Sequence, residues 1–561
     1  MTFDLVIRNG LVVDGTGAPR RRADVAVSDG RIVEIGDVSG TAKRTIDAEG
    51  LIVAPGFIDP HTHYDAQVCW DPEVSPSSWH GVTTVVTGNC GVGVAPCRPE
   101  SRDILAGDLV NLESIPLRAL QAGLPWDWED FPSYMAATLR RGVALNIGFM
   151  AALTPFRHWV LGEDSVERAA TADERDRIQA MLAEAMAAGA LGFSTSISGI
   201  DVGWGGRPLA CRLADQDELS AYADVLKRCG RGLTMTHISG ELNERDYALL
   251  DNLLERSGRP VTWLGLFIRG DDPESAFRTL DRHAPLHRRG SVPQISCRPM
   301  LFSFDLRNPF VFASRPSTAR VLNQSVEAQK RLYADPEFRR VFCDEVRAGS
   351  SGPAFRSCEH VEISETQSPA LKALEGKTIA NVAAERGRAS GFEFLLDLAL
   401  EDDLRMRFVA PILNTDEDRL GRLVSDPRVL IALSDGGAHL DQLCDAGYPT
   451  YLLGHWVRER EVMPLERAVA RLTSEPADLF GLADRGRLAA GKAADIAIFD
   501  ADTVGSGRRG VLRSDLPGGG RRFVMPAQGV AYTIVNGAPV HEHGAYTGET
   551  PGRIAAPAGC A

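Results

Sequence analysis

Apolar positions along this chain change rhythm twice. At the start, FDLVIRNGLVVD (residues 3–14) and ADVAVSDGRIVEIG (23–36) alternate apolar with polar, the period of a strand with one buried face. Gly10 and the pair Asp29-Gly30 punctuate these runs and predict turns. The same texture returns near the other end in ADIAIFD (494–500) and VAYTIVNGAPV (530–540). Short antiparallel strands bury too little alone, so both ends are expected to join in one small β-sandwich domain, residues 1–54 with 485–561.

Between the ends, apolar runs replace alternation and helical segments separate them. The runs are LIVAPGFID (51–59), TTVVTG (83–88), ALNIGFMA (144–151), ALGFSTSI (190–197), LTMTHIS (233–239), VTWLGLF (261–267), SVPQIS (291–296) and RVLIALSD (428–435). Continuous apolar runs suit parallel strands covered on both faces. One intervening helix is explicit in TADERDRIQAMLAEAMAAGA: Thr171 and Glu174 form a capping box, Ile178, Met181, Leu182 and Ala185 an apolar stripe, and Gly189 a stop. Eight such strands predict an α/β fold, a TIM-like (β/α)8 barrel over residues 55–484. The gap between the seventh and eighth strands is too long for one crossover. Residues 300–375, rich in Phe, Arg and Ser, are therefore expected to be an insertion folded over the barrel mouth.

Composition narrows the function. The 561 residues are 44% hydrophobic and 24% charged, with a net charge of −14 and no long basic block. Such a surface repels phosphate, so neither nucleic acid nor an anionic membrane is expected as a partner. No uninterrupted apolar run of about 18 residues occurs, and MTFDLVIRNG lacks the basic and apolar regions of a secretory signal. Ten scattered cysteines make no disulfide framework, which points to the cytoplasm. A homo-oligomer is left open.

The chemistry concentrates at strand ends. In VAPGFIDPHTHYDA (53–66), His61 and His63 stand two apart at the end of the first barrel strand, so both point to one side. Two neutral imidazoles aimed at one point make a metal-ligand pair, and nitrogen donors suit zinc. Cys90 in TGNCG, His237 in MTHISGE, and Asp435 with His439 in LSDGGAHLD fall at the ends of strands two, five and eight. A second His-X-His, His541 and His543, lies in the terminal β region and reads as a solvated strand.

Taken together, PGFIDPHTH, GVTTVVTGNCG, GALGFST, THISGE, SDGGAHLD and LAAGKAADIAIFD resemble the amidohydrolase superfamily, in its N-acyl-D-amino-acid deacylase (D-aminoacylase) branch. The resemblance runs from the first residues to GETPGR (548–553) and is weakest across the insertion. It implies a metal-bearing barrel with a small β domain from both termini. It also implies a strand-two cysteine in place of a strand-four carboxylated lysine; here strand four reads LGFSTS and Cys90 stands in that position. The implied metal ligands are His61, His63, Cys90, His237 and Asp435, and the implied substrate is a small-molecule amide. Asp435 would take the water proton and pass it to the leaving nitrogen.

Two departures from the family pattern stand out. The histidine expected after strand six is absent from TWLGLFIRG (262–270), which favours one tightly bound zinc with a second, weaker position. The arginine that follows a His-Pro after the strand-eight aspartate is absent from CDAGYPTYLLGHW (444–456). Arg298 in SCRPM, and His439, are the candidates for substrate contacts. Cyclic-amide opening, deamination, and a catalytically retired scaffold are the competing functions.

Overall fold

The structure is a computed structural model and describes residues 2–238, 242–312, 315–322, 324–348, 357–507 and 509–559. The tail of the THISGE motif (239–241), and positions 313–314, 323 and 349–356 of the expected insertion, lie outside the described residues.

Eight parallel strands form one sheet in sequence order: β1 (Phe57–Asp59), β2 (Val82–Thr87), β3 (Asn146–Ala152), β4 (Gly192–Ser196), β5 (Leu233–His237), β6 (Val261–Leu264), β7 (Ser291–Ile295) and β8 (Leu430–Ile431). Each lies within one of the eight apolar runs or overlaps it, and β2, β3 and β4 are buried at every position. A backbone bridge between Thr62 and Gly436 joins the segments beyond β1 and β8, which brings the two edges of the sheet together. Two helices matter below: α1 (Arg102–Glu113) and α2 (Ala172–Ala187). The capping box of α2 forms as its sequence requires, with Thr171 Oγ1 accepting from the Glu174 N–H and the Glu174 carboxylate accepting from the Thr171 N–H.

A second, nine-stranded sheet draws Thr2–Val12, Arg21–Ser28, Arg31–Gly36, Thr41–Asp47 and Ile52–Pro55 from one end of the chain. Ile496–Phe499, Val530–Val535, Ala538–Glu542 and Ala545–Tyr546 come from the other. Ile7, Val25, Val53, Ile496 and Ile534 share its core. The run 51–59 is divided between the two sheets: Ile52–Pro55 pairs with Ile496–Phe499, and Phe57–Asp59 pairs with β2. The crossing is made at Gly56, where a Cβ would lie 2.1 Å from Thr83 Oγ1. Asp29 and Gly30 make the expected turn, with φ of 52° and 73°. Gly10 makes none; it lies inside Thr2–Val12 at a register shift, where a Cβ would meet Val53 Cγ2 at 2.4 Å. Close approach of the neighbouring strand, not chain reversal, selects glycine there.

Between β7 and β8 the chain builds a separate core. Met300–Phe304, Glu362–Glu365 and Arg407–Leu413 form a three-stranded antiparallel sheet with Arg407–Leu413 in the middle. Its cluster of buried side chains runs from Phe302 through Ala410, with Leu443 joining from beyond β8, and so includes residues past the expected limit at 375. The helix Phe392–Glu401 turns Phe392, Leu395 and Leu396 into this cluster. Among the described residues, no helix is long and apolar enough to cross a membrane.

Candidate metal centre

Beyond β1 the chain stays extended through Pro60, and His61 and His63 project together, their ring centroids 5.3 Å apart. Both are buried. The tautomer of His61 is set by a chain of hydrogen bonds. Thr262 Oγ1 donates to the Val292 carbonyl and so accepts from Gln294 Nε2, which turns Gln294 Oε1 towards His61 Nδ1 at 2.6 Å. Nδ1 therefore carries the proton, and the Nε2 lone pair faces Cys90 Sγ at 3.4 Å and Asp435 Oδ1 at 3.5 Å. Burial, aided by His237, pulls the His61 pKa down to about 3, which keeps the ring in its ligand form.

His63 presents Nε2 to Asp435 Oδ1 at 3.9 Å and Nδ1 to Glu113 Oε1, at the end of α1, at 3.2 Å. Burial and the neighbouring imidazoles His61, His439 and His237 hold its pKa well below the usual histidine range. Cys90 follows β2 with a left-handed backbone (φ 55°) and is fixed by its N–H to Met235 Sδ at 3.4 Å. Asp435 follows β8, also left-handed (φ 45°). Its neighbours stitch β8 to β1, with Ser434 Oγ donating to the His61 carbonyl and the His63 N–H donating to the Gly436 carbonyl.

Ligand atoms of His61, His63 and Cys90 all lie within 4.8 Å of one another. Around them the anions are crowded. Burial, then Asp201, Glu113 and Asp435, push the Cys90 thiol far up; burial and Asp445 push Asp435 up to about 7; burial and three carboxylates push Glu113 up. Neutral imidazoles, a thiol and a carboxylate that repel one another in a buried pocket are a donor set completed by a divalent cation, so the residues fit zinc.

His237, at the end of β5, stands apart from that trio. Its Nδ1 bonds Asp201 Oδ2 at 2.8 Å, and Asp201 also accepts from Ser196 Oγ. Burial opposes charge on His237, but Asp201 more than offsets it and raises the pKa. The register position beside His237 on β6 is Leu264, so the missing strand-six imidazole is replaced by a hydrocarbon. His439 has a left-handed backbone (φ 49°), donates its N–H to the Glu113 carbonyl at 2.5 Å, and sets its ring against Phe302. Burial lowers its pKa to about 4.

Arg298 is not available to substrate. It is buried, it donates to Asp445 Oδ1, Ser506 Oγ and the Gly507 carbonyl at 3.0 Å each, and its guanidinium lies over the Tyr451 ring. Its place just past β7 suggested the site, but tertiary packing commits it to an internal ion pair. Gln294, Glu113 and Asp201 were missed by sequence reasoning. Only Gln294 left a trace, as the one amide in the apolar run SVPQIS.

The model of the amidohydrolase family matches residues 44–300 and 347–541. The chain is 29% identical to a D-aminoacylase of Alcaligenes xylosoxydans xylosoxydans, over 99% of this chain and 98% of the relative. It is 30% identical to an N-acyl-D-glutamate deacylase of the same organism, over 98% and 96%. The crystal structure of N-acyl-D-glutamate deacylase from Bordetella bronchiseptica, complexed with zinc and a phosphonate mimic of the tetrahedral intermediate, superposes with a TM-score of 0.66 at 27% identity, covering 99% of this chain and 100% of that one. A D-aminoacylase structure concerned with one-metal activation and second-metal attenuation of its binuclear centre gives 0.65 at 26%, covering 98% and 99%. The chain belongs to the amidohydrolase family, on its D-aminoacylase branch.

Proposed function

We propose that the chain is a zinc-dependent amidohydrolase that cleaves the linear amide bond of an N-acylated amino acid or a related N-acyl compound. The observation that carries this reading is the convergence of His61, His63 and Cys90 within 4.8 Å, with Asp435 against both imidazoles. These four residues would hold one ion tightly. When bound, that ion supplies Lewis acidity, acidifying a water and polarising the acyl carbonyl. Asp435 takes the proton of the attacking water as the C–O bond forms and returns it to the amide nitrogen as the C–N bond breaks. His237, oriented by Asp201, offers Nε2 to the acyl oxygen or to a second, weaker ion. Gln294 keeps the His61 imidazole turned inward, and the Glu113 carboxyl stands 3.2 Å from His63 Nδ1.

The eight strands are read here as a (β/α)8 barrel closed through Thr62 and Gly436, with the nine-stranded sheet as a β module of both termini. Nine cysteines without disulfides among the described residues support a reducing cytoplasm. The test is Asp435→Asn, assayed on N-acyl amino acids with zinc content measured in parallel. Turnover is expected to fall at least about 10²–10⁴-fold, the usual weight of a positioned acid–base group. Undiminished turnover would remove Asp435 from the mechanism. A wild-type protein that binds no zinc would support the retired-scaffold reading instead.

A further inference from the structure

An N-acyl amino acid carries a carboxylate, and neither the strand-eight region nor Arg298 offers a free cation to receive it. A cation is tied instead to the loop that carries Asp201, the partner of His237. Arg212 lies in the short helix Ala210–Leu213, which precedes the next barrel helix. It is half-buried, and its Nη1 donates to the main-chain carbonyl of Asp201 at 2.8 Å. Asp201 is the residue whose carboxylate holds His237 Nδ1 at 2.8 Å. The guanidinium is thus one residue removed from the imidazole that faces the reacting group. Its plane passes beside Gly199, where a Cβ would come 3.9 Å from Nη2.

The remaining edge of that guanidinium is the informative part. Among the described residues Arg212 has no carboxylate within ion-pair distance, and its Nε is buried without a hydrogen-bond partner. Nη2 makes no hydrogen bond among the described residues, so it is the donor left to a ligand carboxylate. Most arginines of this chain are spent on acids; Arg157 on Glu218, Arg298 on Asp445 and Arg485 on Asp495 are buried examples. Arg212 instead rests on a carbonyl, which fixes its position and leaves its charge uncompensated.

We propose that Arg212 is the anion anchor of the site, receiving the carboxylate of the N-acyl amino acid on the loop that carries Asp201. This rests on the amidohydrolase reading above. On the same loop Ile200, Val202 and Trp204 are apolar and 53%, 37% and 40% exposed, so an apolar amino acid is the suitable probe. The experiment compares binding of N-acetyl-phenylalanine, D and L, with that of the matching N-acetyl-phenylalanine amides, by calorimetry on zinc-loaded protein. Wild type should prefer the acid. Arg212→Gln should weaken the acid by about 10- to 100-fold, the scale of a charge-assisted hydrogen-bonded pair, and leave the amide within about twofold. Arg212→Lys, which keeps the charge and loses the fork, should fall between. Equal binding of acid and amide by wild type, or equal loss of both in Arg212→Gln, would overturn the anchor. Release of acetate is followed separately. Cleavage without preference for the acid would sink the anchor and spare the hydrolase; preference for the acid through Arg212 without cleavage would do the reverse.

Discussion

His61 and Gln294, 233 positions apart in sequence, meet at 2.6 Å through Nδ1 and Oε1. This contact decides which imidazole nitrogen faces the pocket, because Gln294 is itself oriented by Thr262. A ligand whose tautomer is fixed in advance loses no free energy to proton relocation when a cation arrives.

Replacement of Gln294 by Leu removes the acceptor and frees both tautomers of His61. Zinc affinity, measured by competition with a chelator of known strength, should fall about 10- to 100-fold, as is usual when the partner of a metal-bound histidine is lost. Unchanged affinity would mean that Cys90 and His63 fix the site without this contact.

The buried pair of Arg298 and Asp445 makes the opposite forecast. Arg298→Gln leaves the Asp445 carboxylate buried without its partner, and should destabilise the protein by about 3–5 kcal/mol, read as a lowered denaturant midpoint. KM for an N-acyl amino acid should stay near the wild-type value. A large rise in KM with stability preserved would return Arg298 to the substrate.

How much of this was legible beforehand follows from how each residue is positioned. His61, His63, Cys90 and Asp435 could be found because strand period and strand ends place them without knowledge of tertiary packing. Glu113 could not, since it enters the pocket only where α1 happens to end, and Asp201 sits in a loop with no period at all. Gly56 was hidden for a different reason. The boundary at 54–55 already divides the run 51–59 between the two sheets, but the need for glycine at the crossing depends on Thr83, 27 positions away. Phe392–Glu401 is likewise unassigned by the sequence, because its helical period suits either core and only its place in one buried cluster with Phe304 and Phe408 assigns it.

Away from the metal centre, His80 and His283 each make a contribution to stability that acid removes. His283 is buried, and its Nε2 stands 3.1 Å from Trp263 Nε1, an indole N–H that can only donate. Protonation at Nε2 would break that bond. Burial, with His287 and Arg428 nearby, pulls the His283 pKa down to about 4, and burial, with Arg298 and His541, does the same to His80. In the unfolded chain both return towards about 6.5. Between about pH 6.5 and 4 these two histidines bind more protons in the unfolded state than in the folded one, so their contribution to stability falls as pH falls through that window and levels off below it. Each histidine steepens the slope by at most one proton. His283→Gln retains an acceptor for Trp263 in Oε1 and does not titrate, so its unfolding free energy should vary less between pH 6.5 and 4 than that of wild type. Parallel pH profiles for the two proteins, from denaturant unfolding at half-unit steps with metal removed, would show that His283 is already free to protonate in the fold.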